Sequence, residues 1–101
     1  MIIRGTTPTH TFTLPVECGA FTEVRVLYSQ NDELVIKKET EDVTCEGNRI
    51  SCTLTQKDTL ALDDRQDCEI QVRALSEGGT AVASKIMRVP VGKCLDDEVL
   101  A

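Results

Sequence analysis

The chain holds a single histidine, His10, so a Ser-His-Asp or Cys-His site would have to use it as the base. His10 falls in phase with Phe12 and Leu14, the pattern of a strand residue at the rim of a core. No Gly-x-Ser-x-Gly elbow accompanies it to supply a nucleophile. The five cysteines are Cys18, Cys45, Cys52, Cys68 and Cys94. None forms the Cys-x-x-Cys spacing that zinc sites favour. Cys45 and Cys52 bracket a turn and could bond across a hairpin under oxidation. With no export signal at Met1-Ile2-Ile3-Arg4-Gly5, the default is reduced thiols in a cytoplasm. Cys52 and Cys68 share the apolar phase of their segments and read as small buried hydrophobes.

Two acidic groups invite a calcium assignment: Asp63, Asp64 and Asp67, and Asp96, Asp97 and Glu98. Calcium takes six to eight oxygens around one point, and neither group has the glycine-turned spacing of an EF-hand. A solvated loop and a solvated tail account for them. Gly78-Gly79 belongs to a hairpin, because no Gly-x-x-x-x-Gly-Lys pattern surrounds it. With Phe12, Phe21 and Tyr28 as the only aromatics, a sugar-stacking platform is poorly supplied. These patterns predict no catalytic residue, no cofactor-binding residue, no metal ligand and no cofactor. The expectation is a non-enzymatic protein; a hydrolase built on His10 is the weakest reading.

The elements that carry these residues are short and extended. His10, Phe12 and Leu14 alternate with Thr9, Thr11 and Thr13 until Pro15 ends the run, which predicts a half-buried strand. Val24, Val26 and Tyr28 alternate with Glu23, Arg25 and Leu27. Ser29-Gln30-Asn31-Asp32 is turn chemistry, and Leu34 and Ile36 open a third strand with Lys37, Lys38 and Glu39 toward water. Glu46-Gly47-Asn48 marks another reversal before the alternation of Ile50, Cys52 and Leu54. Residues 55–60 predict one helical turn crossing between sheets, and residues 63–67 a polar loop. Cys68, Ile70, Val72 and Ala74 give the clearest strand, followed by the Gly78-Gly79 hairpin.

A last strand from Thr80 to Val91 has Val82, Ile86 and Val89 in its apolar phase. Its slip near Met87 predicts a β-bulge, and Pro90 predicts a sheet edge.

Six to seven short strands with frequent turns predict an all-β antiparallel sandwich, since one sheet would leave its apolar face wet. At 101 residues the chain fits one core. Residues 1–95 form the sandwich, and residues 96–101 a short acidic tail that is frayed or docked through Leu95, Val99 and Leu100. With so few aromatics, the core must come from Val, Ile, Leu, Ala and Cys. The net charge of −6 and scattered cations argue against nucleic acid and anionic membranes as partners. No apolar run approaches a membrane span.

Several stretches together are similar to small prophage-encoded structural proteins of gut-type Firmicutes. They are Arg4-Gly5-Thr6-Thr7-Pro8 leading into Phe12-Thr13-Leu14, then residues 54–60, Ile70-Gln71-Val72-Arg73, the Gly78-Gly79 hairpin and Ala83-Ser84-Lys85-Ile86. The set also resembles the immunoglobulin-like domain that opens phage baseplate upper proteins. The resemblance implies an immunoglobulin-like β-sandwich serving as a docking module in a tail or baseplate assembly. Its partners would be copies of itself, as a homo-oligomer, or other phage structural proteins. It would be made in a bacterial cytoplasm and taken into the particle. The chain departs from the baseplate protein in carrying no trailing fibre region after Ala101. A stand-alone immunoglobulin-like binding or adhesin-type module is the alternative. That reading implies export and a monomer.

Overall fold

Alternation of apolar and polar side chains sets the architecture, and the computed structural model describes all of residues 1–101. The extended segments are β1 (Ile2–Ile3), β2 (Thr9–Thr13), β3 (Phe21–Gln30), β4 (Glu33–Lys38), β5 (Val43–Glu46) and β6 (Arg49–Thr53). After helix α1 (Gln56–Leu60) come β7 (Cys68–Ser76), β8 (Ala81–Ala83), β9 (Met87–Val89) and β10 (Val91–Gly92). A small sheet runs in the order β2-β6-β5. The large sheet runs β4-β3-β7, with β8 and β9 both paired to the far side of β7. All these pairings are antiparallel; only the short β1–β10 pair is parallel. No helix is long and apolar enough to cross a membrane.

The two sheets face one core. The large sheet contributes Val24, Val26, Tyr28, Ile36, Cys68, Ile70, Val72 and Ala74. The small sheet contributes Ile50 and Cys52, with Phe12 packed against them, and Ile2, Leu54, Leu62 and Val91 close the ends. The expected alternation on β2, β3, β6 and β7 is therefore the packing observed. One expectation needs widening: Tyr28, fully buried, is the largest side chain in this core.

Three differences from the sequence reading have local causes. Leu34 does not point inward. Tyr28 pairs with Ile36 while Ser29 pairs with Leu34, so Val35 is an extra residue on β4. That bulge reverses the strand's phase and turns Leu34 to solvent. Lys38 does not point to open water either: its Nζ meets Asp58 Oδ2 at 2.7 Å. The last strand, expected as one bulged piece, breaks in two because Ser84 takes over the ladder. Ser84 N donates to the Val72 carbonyl at 2.8 Å, and Ser84 Oγ accepts from Val72 N at 3.0 Å. Val82 and Ile86 are exposed.

The Gln30-Asn31-Asp32-Glu33 reversal has positive φ at both Asn31 and Asp32, the tight-hairpin geometry that those residue types tolerate. Helix α1 is too short to persist alone. A reciprocal cap fixes it: Thr55 Oγ1 accepts from Asp58 N at 3.0 Å, and Asp58 Oδ2 accepts from Thr55 N at 2.9 Å. Burial pushes the Asp58 carboxyl up, but bonds from Lys38 and Thr55 outweigh it and hold the group below its usual range. As expected, α1 carries the chain from the small sheet to the large one.

Polar side chains anchor the loops. Gln30 Nε2 donates to the carbonyls of Asp63 and Gln66, and its Oε1 accepts from Asp63 N at 2.8 Å. Buried Thr59 accepts from Gly5 N at 2.9 Å and donates to the Thr6 carbonyl at 2.8 Å. Arg4 donates to the carbonyls of Leu60 and Leu62 and pairs with Asp97 at 2.8 Å. The acidic tail is therefore docked by polar bonds, including two between Gln56 and the Leu100 main chain. Its Leu95, Val99 and Leu100 side chains stay exposed, contrary to apolar docking.

The bulge on β4 makes Leu34 opposite in value to core Leu54. Leu54 is 0% exposed and Leu34 is 53% exposed. In urea denaturation, Leu54→Ala should cost about 2–5 kcal/mol. Leu34→Ala should stay within about 0.5 kcal/mol of the parent. Equal losses would refute the phase reversal.

Candidate functional site

His10 sits on β2, half-buried, with its Nδ1 at 2.7 Å from Tyr28 Oη. β2 belongs to the small sheet and β3 to the large one, so this bond crosses the sandwich. The Tyr28 hydroxyl also approaches Cys52 Sγ at 4.0 Å, the limit of a weak contact. Burial pushes the Tyr28 hydroxyl well above the usual range, and the neighbouring Cys52 adds to this. Burial likewise raises the Cys52 thiol, although the Tyr28 bond opposes it. Burial, then the charge of Glu69, pushes the Cys68 thiol up to about 11. A thiol held protonated is a poor nucleophile. This cluster is core furniture around a hydrogen bond.

The acidic groups are occupied locally. Both carboxylate oxygens of Asp63 accept from Arg65, at 3.0 Å from Nε and 3.0 Å from Nη2. Those bonds hold the Asp63 carboxyl far below its usual value. Asp96 Oδ1 accepts from Glu98 N at 2.9 Å, and Asp97 is engaged by Arg4. No group of three or more potential metal ligands converges.

The β8–β9 side is one of the open edges of the large sheet. β8 and β9 pair inward with β7 alone, with Arg73 opposite Ala83, Leu75 opposite Ala81 and Ile70 opposite Met87. Their other side carries no strand. Val82, Ile86 and Met87 lie exposed along this edge. Pro90 and the irregular Ser84 interrupt the run. The expectation of an edge near Met87 to Val91 holds as far as β9; beyond Pro90 the chain leaves β7, and β10 pairs with β1. Exposure of Val82 and Ile86 was hidden in the sequence, because they share one phase of an alternating segment like those of a buried strand.

No family model and no curated protein matches this sequence. Among solved structures, it is similar to the immunoglobulin-like domain of mouse leukocyte-associated immunoglobulin-like receptor 1, in a strand-swapped dimer. That likeness has a TM-score of 0.53 and 15% identity, over 89% of this chain and 83% of that one. The fold is an immunoglobulin-like sandwich. The V domain of amphioxus IgVJ-C2 also matches over 89% of this chain and 96% of that one, at 12% identity. Its TM-score of 0.38 is too low to bear on the fold.

Antibody-type immunoglobulin domains join their two sheets by a cystine; this immunoglobulin-like sandwich does not. Its cystine joins Cys18, in the turn before β3, to Cys45 on edge strand β5, with Cα atoms 6.0 Å apart. Cys52, Cys68 and Cys94 remain free. This replaces the Cys45–Cys52 alternative, since the partner of Cys45 is Cys18. In the β5–β6 register Cys45 lies opposite Ile50 and Cys52 opposite Val43, so those two sulfurs are displaced diagonally. Cys18 instead folds under the small sheet, where its N–H donates to the Gly47 carbonyl at 2.8 Å. Cys52 and Cys68 are buried as expected.

Half-burial gives His10 a pH signature. Burial, and then the charge of the N-terminal amine, lower its pKa from the ordinary 6.5. The unfolded chain therefore binds this proton more readily, so stability should fall as pH drops below about 6.5 toward the folded-state pKa. Melting temperatures of the parent across that window should decline, and those of His10→Gln should decline less. Identical slopes would exclude a buried neutral imidazole.

Proposed function

We propose that this chain is a non-enzymatic protein-interaction module that docks through the β8–β9 edge of its large sheet. The edge itself carries the reading: unpaired main-chain groups beside exposed Val82, Ile86 and Met87. An extended segment laid along such an edge gains main-chain hydrogen bonds, while alternate side chains cover the apolar ones. A second copy is the simplest occupant. The mouse receptor domain, whose strands are exchanged in a dimer, illustrates that this architecture can associate through its strands.

The setting we favour is a phage or prophage tail or baseplate assembly, supported by the sequence resemblance to small prophage structural proteins. In that setting residues 1–95 are the docking domain and residues 96–101 a terminal strap. Other phage structural proteins would then be partners. The negative charge disfavours nucleic acid and anionic lipid. A second reading, an exported stand-alone binding or adhesin-type module, draws its support from the Cys18–Cys45 cystine. Disulfides persist mainly in oxidising compartments.

Light scattering during gel filtration should give a mass above that of one chain. Ile86→Lys with Met87→Lys should return it to a monomer without lowering the melting temperature. A parent that stays monomeric at every concentration overturns docking between copies. Thiol titration of denatured, unreduced native protein separates the two settings. Three reactive thiols support export, and five support the cytoplasmic particle protein. The cystine closes a separation of 27 residues, so Cys18→Ser with Cys45→Ser should cost about 3–4 kcal/mol in urea denaturation.

A further inference from the structure

The solvent face of the large sheet brings two like charges together. Arg25 on β3 lies directly opposite Arg73 on β7, an arrangement that destabilises a strand pair unless a counter-charge is near. Arg25 has a partial one: its Nη2 donates to Glu23 Oε1 at 3.0 Å. Its Nε is buried and meets no acceptor. Arg73 has none, since the ion pairs of the chain engage Arg4, Arg25, Lys37, Lys38, Arg65 and Arg88. Two guanidiniums therefore stand beside one carboxylate that only Arg25 engages, a local excess of positive charge on a chain of net charge −6.

Beside this pair the sheet is hollow. β8 places only Ala83 opposite Arg73 and Ala81 opposite Leu75. The short side chains leave a depression of about 160 Å³, bounded by Glu23, Arg25, Arg73, Ala74, Leu75 and Ala81. That is several times the roughly 30 Å³ that a water takes in the liquid, and enough for a carboxylate group on a short stem. The depression is polar where the arginines stand and apolar toward Leu75 and Ala81.

We propose that this depression receives an Asp or Glu side chain from an extended segment of a protein partner, its carboxylate held between Arg25 and Arg73. Guanidinium groups meet carboxylates through paired, charge-assisted hydrogen bonds. Such a contact supplies the missing acceptors and cancels the cross-strand repulsion. A protein source follows from position, because Ala81 belongs to the free edge strand along which a partner segment would lie. The inference rests on the edge-docking reading and adds to it a preference for an acidic residue.

Two-dimensional NMR of the arginine Nε–Hε groups tests it. The probes are a capped Thr-Val-Glu-Val-Thr pentapeptide, its Gln counterpart and sodium succinate. The Glu peptide should shift the Arg25 and Arg73 signals, and the Gln peptide should leave them in place. Arg73→Gln, at an exposed position, should keep or raise the parent's melting temperature, because it relieves the repulsion from Arg25, and weaken the Glu peptide by about tenfold, as expected for loss of one charged hydrogen bond. Unmoved arginine signals at millimolar Glu peptide, or unchanged affinity in Arg73→Gln, would overturn the proposal. Succinate binding as tightly as the peptide would overturn the protein source in favour of a small carboxylate. Light scattering reads the edge and the titration reads the arginines, so failure of one is separable from failure of the other.

Discussion

Pairing of β3 with β7 is the constraint on which the remaining structure depends. Val24 faces Ala74, Val26 faces Val72 and Tyr28 faces Ile70 across that ladder. All six are buried on one side of the sheet. Because side chains alternate every residue, a slip of one position would put Glu23, Arg25, Arg73 and Gln71 into the core. That cost locks the register. β4 hangs on one flank of this pair, and β8 and β9 on the other. The charged outer face follows from the same register, including the opposition of Arg25 and Arg73.

A core with one large aromatic needs help to settle on a single arrangement, and buried polar groups supply it. Thr59, Gln30 and the Tyr28 hydroxyl are each matched by named partners. A buried polar group left without its partner is costly, so each satisfied one disfavours alternative packings. Gln30 ties the hairpin turn to the acidic loop, Thr59 ties the helix to the N-terminal segment, and His10 ties one sheet to the other. Gly5, at φ +81°, allows the tight turn that delivers its N–H to Thr59. Arg4, immediately before it, then clamps the loop after α1 and the tail.

The proposed function resides on the surface. The Cys52 and Cys68 thiols and the His10 imidazole are turned into the structure, where burial favours their neutral forms and they pack against their neighbours. The large sheet presents an open edge bordered by apolar side chains and an arginine pair short of counter-charge. Main-chain pairing along an edge supplies affinity with little sequence preference, and a charged contact beside it selects among partners. The two features are adjacent through Ala81, so in the proposed docking one partner segment engages both.

Period-two patterning determined much of this protein before any coordinates: the antiparallel sandwich, the inward sets on β2, β3, β6 and β7, the helical crossover and the turns. Those features are local, set by which side of a strand each residue occupies and by residues that tolerate tight turns. The helix cap was legible for the same reason, since Thr55 and Asp58 lie within one turn. Tertiary structure alone decided the rest. The Cys18–Cys45 cystine joins segments remote in sequence, and no spacing rule distinguishes it from the other pairings of five cysteines. Leu34 turned outward because of one extra residue opposite Tyr28 and Ser29. Val82 and Ile86 are exposed because the final strand lies at an edge, with no layer over it. Whether an alternating strand is covered depends on its neighbours, and neighbours are a property of the fold.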